Sequence, residues 1–398
     1  MQEMSVDISV PIEKTDHSPS KFQRIFTPLQ TCAVLITGAL GSLVAGLQPL
    51  LLGPLASAGR LTMREVGITA MLETFGMAAI VAVAAVLFRP RGLKLILFLA
   101  AIAALAANAI AFVSSHEVIM AARLLNGLAG GVMLWVWTGL LTNVALPSRL
   151  FSIYLGLQGA GALVLSYLFS TVITPAWGPS GGYAVLGLLG VVPILLSFFA
   201  PSEYPDSATE TGEGFRFPGI RGFFGLLAVA MHLAAIMAIW VYVLPLGQQF
   251  GIPNDIASLT VTVGLLVQII GASSAAILAR MRATYALYVS IGASLLSLAL
   301  TGLGGTEATF TGGLALLCFF WTFAPGFQMS YILDIDPSRR AGMQIVTFQL
   351  LGLSAGPALA SLFVNNGNAA PAIVVSAALY VSALIIVILT TNVALRRS

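Results

Sequence analysis

AGMQIVTFQLLGLSAGPALASLFVNNGNAAPAIVVSAALYVSALIIVILTTNVAL, residues 341–395, runs for 55 positions without a single Asp, Glu, Lys, Arg or His. About 20 apolar residues suffice for a helix to cross the hydrocarbon of a bilayer. The run therefore holds two crossings, and Asn365-Asn366-Gly367-Asn368 supplies the turn formers that divide it.

Upstream the same pattern recurs. Residues 150–202 hold 53 uncharged positions, divided by Thr174-Pro175-Ala176-Trp177-Gly178-Pro179-Ser180-Gly181-Gly182. Residues 25–59 carry no charge and predict a helix at about 33–55; 66–88 is interrupted only by Glu73; Lys94 and Glu117 bracket a third helix; Arg123 is the one charge in a fourth, at about 118–144. After a polar stretch from Pro201 to Arg221, further helices are predicted up to about 247 and over 256–279, 284–303 and 309–333. An ionised side chain at the bilayer centre costs about 2.5 kcal/mol or more on insertion scales, which is why charge-free runs locate spans. The expectation is an all-α polytopic membrane protein with 12 transmembrane helices.

Composition agrees. The 398 residues are 58% hydrophobic and 8% charged, whereas a soluble domain carries about 25% charged residues; mean hydropathy is +0.97. Cys32 and Cys318 lie in apolar stretches without metal or redox spacing and read as small core residues. No metal or cofactor site is expected. An enzyme is not expected either: the spans hold no central Asp, no Gly-x-x-x-x-Gly-Lys-Ser/Thr run is present, and His116-Glu117 has no second His at helical spacing. The first 30 residues lack a short apolar core with a cleavage site and read as a tail. With the N-terminus cytoplasmic, 15 of the 18 Lys and Arg residues fall inside, Arg60 and Arg64 outside and Arg123 in the membrane. Both termini are thus expected in the cytoplasm of a cell membrane. The basic balance, with a pI of about 9.0, fits an anionic inner leaflet and needs no nucleic-acid partner.

An internal repeat appears at an offset close to 191. It carries Pro54 onto Pro245, Arg89 and Arg91 onto Arg280 and Arg282, and Gln158 and Gly161 onto Gln349 and Gly352. With one deletion, Pro147-Ser148-Arg149 falls on Pro337-Ser338-Arg339. The expected organisation is a tail (1–30), a six-helix bundle (31–200), a central cytoplasmic loop (201–221) and a second six-helix bundle (222–398), pseudo-symmetric with the first.

In the fourth helix, Arg123-Leu124-Leu125-Asn126-Gly127-Leu128-Ala129-Gly130-Gly131 resembles the Arg-x-x-x-Gly-x-x-x-Gly signature of the major facilitator superfamily. Phe88-Arg89-Pro90-Arg91-Gly92-Leu93-Lys94 sits where that family carries a gating loop, with Arg89 at the position of its Asp. Residues 156–170 lack the proline of the antiporter signature, and a related Gly352-x-x-x-Gly356-Pro357 lies in the eleventh helix instead. The resemblance implies a monomeric secondary transporter that moves a small organic solute or organic anion by alternating access, coupled to protons. Efflux of an amphiphile by proton antiport is the alternative, and a receptor or scaffold that moves nothing is the reading from another class.

The proton-coupling candidates are Glu73, Arg123 and His232. A carboxyl desolvated at the depth of Glu73 is driven towards binding a proton, or else is locked by hydrogen bonds to neighbouring helices. Arg123 keeps its charge and needs a partner. Either it faces a cavity, or it pins the fourth helix to Glu73. His232 can titrate in a physiological range or stay a neutral packed imidazole. Candidate substrate-binding residues are Gln48, Asn126, Gln158, Gln268, Gln344 and Gln349, whose amides bind polar solutes without a charge cost, with Trp240 and Trp321 as aromatic walls. Gating-loop candidates are Arg89, Arg91, Gly92, Arg280 and Arg282.

Overall fold

The computed structural model describes residues 26–88, 90–113, 116–144, 147–204, 218–303, 305–336, 338, 340–365 and 367–395. Arg89, residues 1–25 of the tail and residues 205–217 of the central loop lie outside the described residues, as do Pro337 and Arg339 of the repeat.

The described residues form helices and no strand. In chain order they are α1 (Pro28–Ser57), α2 (Met63–Leu87), α3 (Leu93–Val113), α4 (His116–Thr142), α5 (Pro147–Leu168, continued to Trp177), α6 (Gly181–Ser197), α7 (Ile220–Trp240, resumed over Val243–Gln249), α8 (Asn254–Ile277), α9 (Ala283–Leu303), α10 (Glu307–Phe323 and Pro325–Ile335), α11 (Arg340–Ser361) and α12 (Pro371–Leu395). Among them nine are long and apolar enough to cross a membrane, or ten when the bent pair of α10 counts as one span. α6 is a shorter apolar helix. Large apolar side chains face outward, with Ile277 82% and Leu303 86% exposed, an arrangement that suits lipid rather than water.

Local chemistry sets several ends. Capping boxes Thr27–Gln30, Thr62–Glu65 and Thr306–Thr309 satisfy orphan backbone donors at the starts of α1, α2 and α10. Proline sets one bend: α10 turns by 46° at the junction before Pro325. Two expectations need correction. The run Thr174–Gly182 is not a single turn, because a π-helical stretch (Phe169–Ile173) carries α5 on to Trp177 and leaves only Gly178-Pro179-Ser180 between the helices. Pro175 follows just after that π-helical stretch. Cys32 is exposed rather than packed inside, while Cys318 is buried as expected.

The helices pair in two matching sets. In the first half α2 packs on α4 and α3 on both α4 and α6; in the second, α8 packs on α10 and α9 on both α10 and α12. Between the halves, α2 meets α11 and α5 meets α8. Small residues let these backbones close up, which is how helices associate where lipid removes the hydrophobic drive. A Cβ on Gly127 would run into the Glu73 carbonyl, and Cβ atoms on Gly352 and Gly356 into the carbonyls of Ala230 and Ala234.

The offset of 191 reappears as contact. Ser57 accepts a 2.6 Å hydrogen bond from Gln248, and Gly53 lies against Leu244, so residues related by the repeat touch each other where a two-fold axis would pass. Off that axis the contacts occur twice. Ser170 donates to the Ser258 carbonyl at 3.4 Å, while their counterparts Ser361 and Gly67 pack together. Ser166 bonds Thr262 at 3.0 Å in one place, and Ser354 donates to the Met71 carbonyl at 3.4 Å in the other. These bonds lie from the middle of the helices towards the end that carries Ser57 and Gln248. The exposed Arg91, Arg280 and Arg282 stand at the opposite end.

Asp336 sits just before α11 and accepts from Ala341 N (2.8 Å), Ser338 Oγ (2.6 Å) and Ser338 N (3.2 Å). Burial pushes its carboxyl up, but these donors and the Arg340 charge outweigh it and hold the group below the usual carboxylate range. A group held low stabilises the fold above its unfolded pKa, and that contribution disappears as pH falls through the lowered value. Asp336→Ala is therefore expected to cost about 1 kcal/mol near neutral pH. Thermal unfolding in detergent should show the deficit shrinking in acid; a deficit that does not change with pH would refute the cap.

Candidate functional site

The deepest polar cluster joins four helices of the first half. Arg123 and Asn126 are three residues apart on α4 and so share a face. Gly127 beside them lets the α2 backbone approach, which brings Glu73 opposite. Arg123 bonds Glu73 Oε1, Asn126 Nδ2 donates to the same oxygen at 2.8 Å, Arg123 donates to Asn108 Oδ1 at 2.7 Å, and Asn108 Nδ2 closes the ring on Asn126 Oδ1 at 2.9 Å. The Tyr183 ring of α6 covers the guanidinium, its centroid 5.1 Å from Cζ. Glu73, Asn108, Arg123 and Asn126 are 2%, 4%, 0% and 6% exposed.

Chemically this is an internally neutral unit. The carboxylate takes donors from Arg123 and Asn126, and Arg123 Nε alone is left without a partner. Of the two alternatives for Arg123, the geometry is the pairing with Glu73. A cavity of about 40 Å³ borders Asn108 and Asn126 and is otherwise lined by groups such as Leu40, Met133 and Leu186. It has room for water.

Other candidates lie elsewhere. His232 on α7 is 2% exposed, edge-on to Tyr380 of α12 with centroids 5.3 Å apart, and has the Phe320 backbone of α10 beside its ring. Trp240 and Trp321 are brought together as a T-shaped pair at 5.4 Å. Gln48 is fully buried and donates to the Ala70 carbonyl at 3.4 Å; Gln158 donates to the Ser42 carbonyl at 3.1 Å. Gln349 donates to Gln328 of α10 at 2.8 Å, so the repeat-related Gln158 and Gln349 have different partners. Gln268 leaves Nε2 buried and unpartnered, and Gln344 is half-buried on α11. The loop around Gly92, whose φ of +67° favours glycine, is tied to its own half: Leu93 N donates to the Ser202 carbonyl and Tyr204 N to the Pro90 carbonyl, so that the backbones at Arg91 and Glu203 form an isolated antiparallel bridge. Arg280 and Arg282 are exposed.

Sequence reading missed Asn108, Tyr183 and Gln328. Asn108 had a usable signal, being the only amide in α3, whose one other strongly polar residue is Lys94 at its start. Tyr183 had none, since an aromatic beside a turn looks like any interfacial aromatic. Gln328 was one of many glutamines.

Truncating one member of a buried ion pair strands the other charge, at a cost of roughly 3–5 kcal/mol. Glu73→Leu and Arg123→Leu should each lower thermal stability in detergent on that scale, and the double variant should regain a large part of the loss. Additive losses would show that the two side chains do not depend on each other.

Solved structures resemble the whole chain. The nucleoside transporter NupG, in a point-mutant form, aligns over 91% of this chain and 99% of its own with a TM-score of 0.71 at 14% identity. FucP, a major facilitator superfamily transporter in the outward conformation, gives 0.61 at 13% identity over 91% and 97%. A bacterial homologue of the human lysosomal transporter Spinster, inward-facing and unoccupied, gives 0.60 at 12% identity over 92% and 96%. No family model and no curated protein matches the sequence. Helix order, the pairing of two matching sets and these alignments agree that the chain has the fold of the major facilitator superfamily.

Proposed function

We propose that the protein is a secondary transporter that carries a small organic solute across the cytoplasmic membrane by alternating access. The observation that carries this reading is the meeting of the halves, through duplicated contacts between small and polar residues, at one end of the helices. Contacts of this kind break at little cost: each neutral hydrogen bond contributes about 1 kcal/mol net. Two rigid bundles can then rock about a site between them. With the arginine-rich end in the cytoplasm, the closed end faces outward. The neighbours fit this reading, being transporters in more than one conformation.

In this reading Glu73 is the proton-coupling carboxylate, because among the described residues it is the only acid deep in a span. A proton on Glu73 would discharge the bond to Arg123 and Asn126, and α2 carries both that bond and the Met71 contact to α11. His232, enclosed against Tyr380 with no charged partner, fits a neutral packed imidazole.

Two measurements test the proposal in proteoliposomes, with uridine as first probe because one neighbour is a nucleoside transporter. Cross-linking Ser57→Cys to Gln248→Cys, in a Cys32→Ser/Cys318→Ser background, should abolish flux and reduction should restore it. Flux through the linked protein would exclude rocking about this contact. Glu73→Gln should lose pH-driven uptake while keeping exchange; unaltered pH-driven accumulation would remove Glu73 from coupling.

A further inference from the structure

The wall of the proposed site carries a further reading, which rests on the transport proposal. Three candidates from different helices form one cluster in the second half. A Cβ on Gly264 of α8 would stand 3.2 Å from the Trp240 indole and 2.8 Å from Cys318 Sγ of α10. Trp321, three residues beyond Cys318, meets Trp240 as the T-shaped pair, and Gln268 lies one turn along α8 from Gly264. Across the interface, Leu265 of α8 touches Gly46 of α1, two residues from Gln48. Counting about 1.5 Å of rise per residue from the closed ends, Gln48 and Trp240 both lie roughly 12–14 Å in, near mid-depth.

What these groups lack is telling. Trp240 Nε1, Gln268 Nε2 and Gln48 Oε1 are buried without a hydrogen-bond partner. Gln268 has the Cys318 sulfur beside it, which is only a weak acceptor. Trp240 and Gln48 are each 0% exposed. A buried polar atom without a partner carries a standing cost, and at this cluster two donors and one acceptor would be relieved of it by a solute that bonds them. Every one is neutral. Among the described residues, the charges deep in the spans are Glu73 and Arg123, and these neutralise each other inside the first half. A solute ion at mid-depth would find no free counter-charge, and an unpaired charge there is costly.

We infer that the solute is uncharged and ring-bearing: its flat or C–H-rich face packs on the Trp240–Trp321 indoles, and its carbonyl or hydroxyl oxygens accept from the Trp240 and Gln268 N–H groups. This narrows the expected small organic solute or organic anion by removing the anion.

The test keeps the ring and changes only the charge. Quenching of intrinsic tryptophan fluorescence in the purified full-length protein is titrated with uridine against uridine 5′-monophosphate, and with glucose against glucose 6-phosphate and glucosamine. At least one neutral member is expected to bind about tenfold or more tighter than its charged counterparts, and Gln268→Leu to weaken that member by about tenfold, because a buried hydrogen-bonding site rejects partners that leave it unpaired. Trp240→Phe, which keeps the apolar ring and removes only the N–H, should weaken it in the same direction with the protein still folded by thermal unfolding. A charged member binding as tightly as its neutral counterpart overturns the inference, as does a series in which no member binds. Neutral selectivity in binding with no flux in proteoliposomes supports the inference and refutes the transport reading, so the two fail separately.

Discussion

A charge placed inside a bilayer has to find its counter-charge within the protein, and in this chain that requirement falls on Glu73 and Arg123. Their pair is more than a local bond. Glu73 ties α2 to α4, Asn108 brings in α3, and Tyr183 of α6 covers the guanidinium, so a single neutralised pair fixes the relative placement of four helices. The glycines of α4 serve the same end: Gly127 permits the close approach of α2 without which the carboxylate would not reach. The Arg-x-x-x-Gly-x-x-x-Gly resemblance thus has a packing explanation that stands apart from any role in transport.

The two halves solve polar burial differently. The first holds a closed ring of Glu73, Asn108, Arg123 and Asn126 whose hydrogen bonds are nearly all satisfied, while Thr37, Gln48, Thr69 and Trp137 outside it keep atoms without partners. The second spreads neutral groups along α7, α8 and α10 and leaves several without partners. A satisfied network rigidifies, whereas unpartnered groups carry a standing cost that a ligand can relieve.

The contacts between the halves show how a repeat becomes a mechanism. Because Ser57 bonds Gln248, the residue at its own repeat position, the interface is built around an axis, and Ser170–Ser258 and Ser361–Gly67 are one contact written twice. Neutral hydrogen bonds such as Gln248 to Ser57 and Ser170 to the Ser258 carbonyl help to hold that end together. Helix bending at Pro325 and the interrupted α7 lie in the half that faces this axis from the other side.

The sequence by itself determined the apolar helices, their approximate ends, the repeat and its offset, and the isolation of Glu73 and Arg123 as the charges that needed explaining. These are legible because a bilayer penalises charge residue by residue, so composition along the chain maps directly onto depth. Tertiary structure decided the rest. Whether Arg123 faced a cavity or Glu73, that Asn108 completes the ring, that Gln48 keeps an unpartnered Oε1 and Gln268 an unpartnered N–H, and that His232 meets Tyr380 all depend on the angle at which each helix presents its face. Rotation about a helix axis costs nothing in hydropathy, and only packing against particular neighbours fixes it.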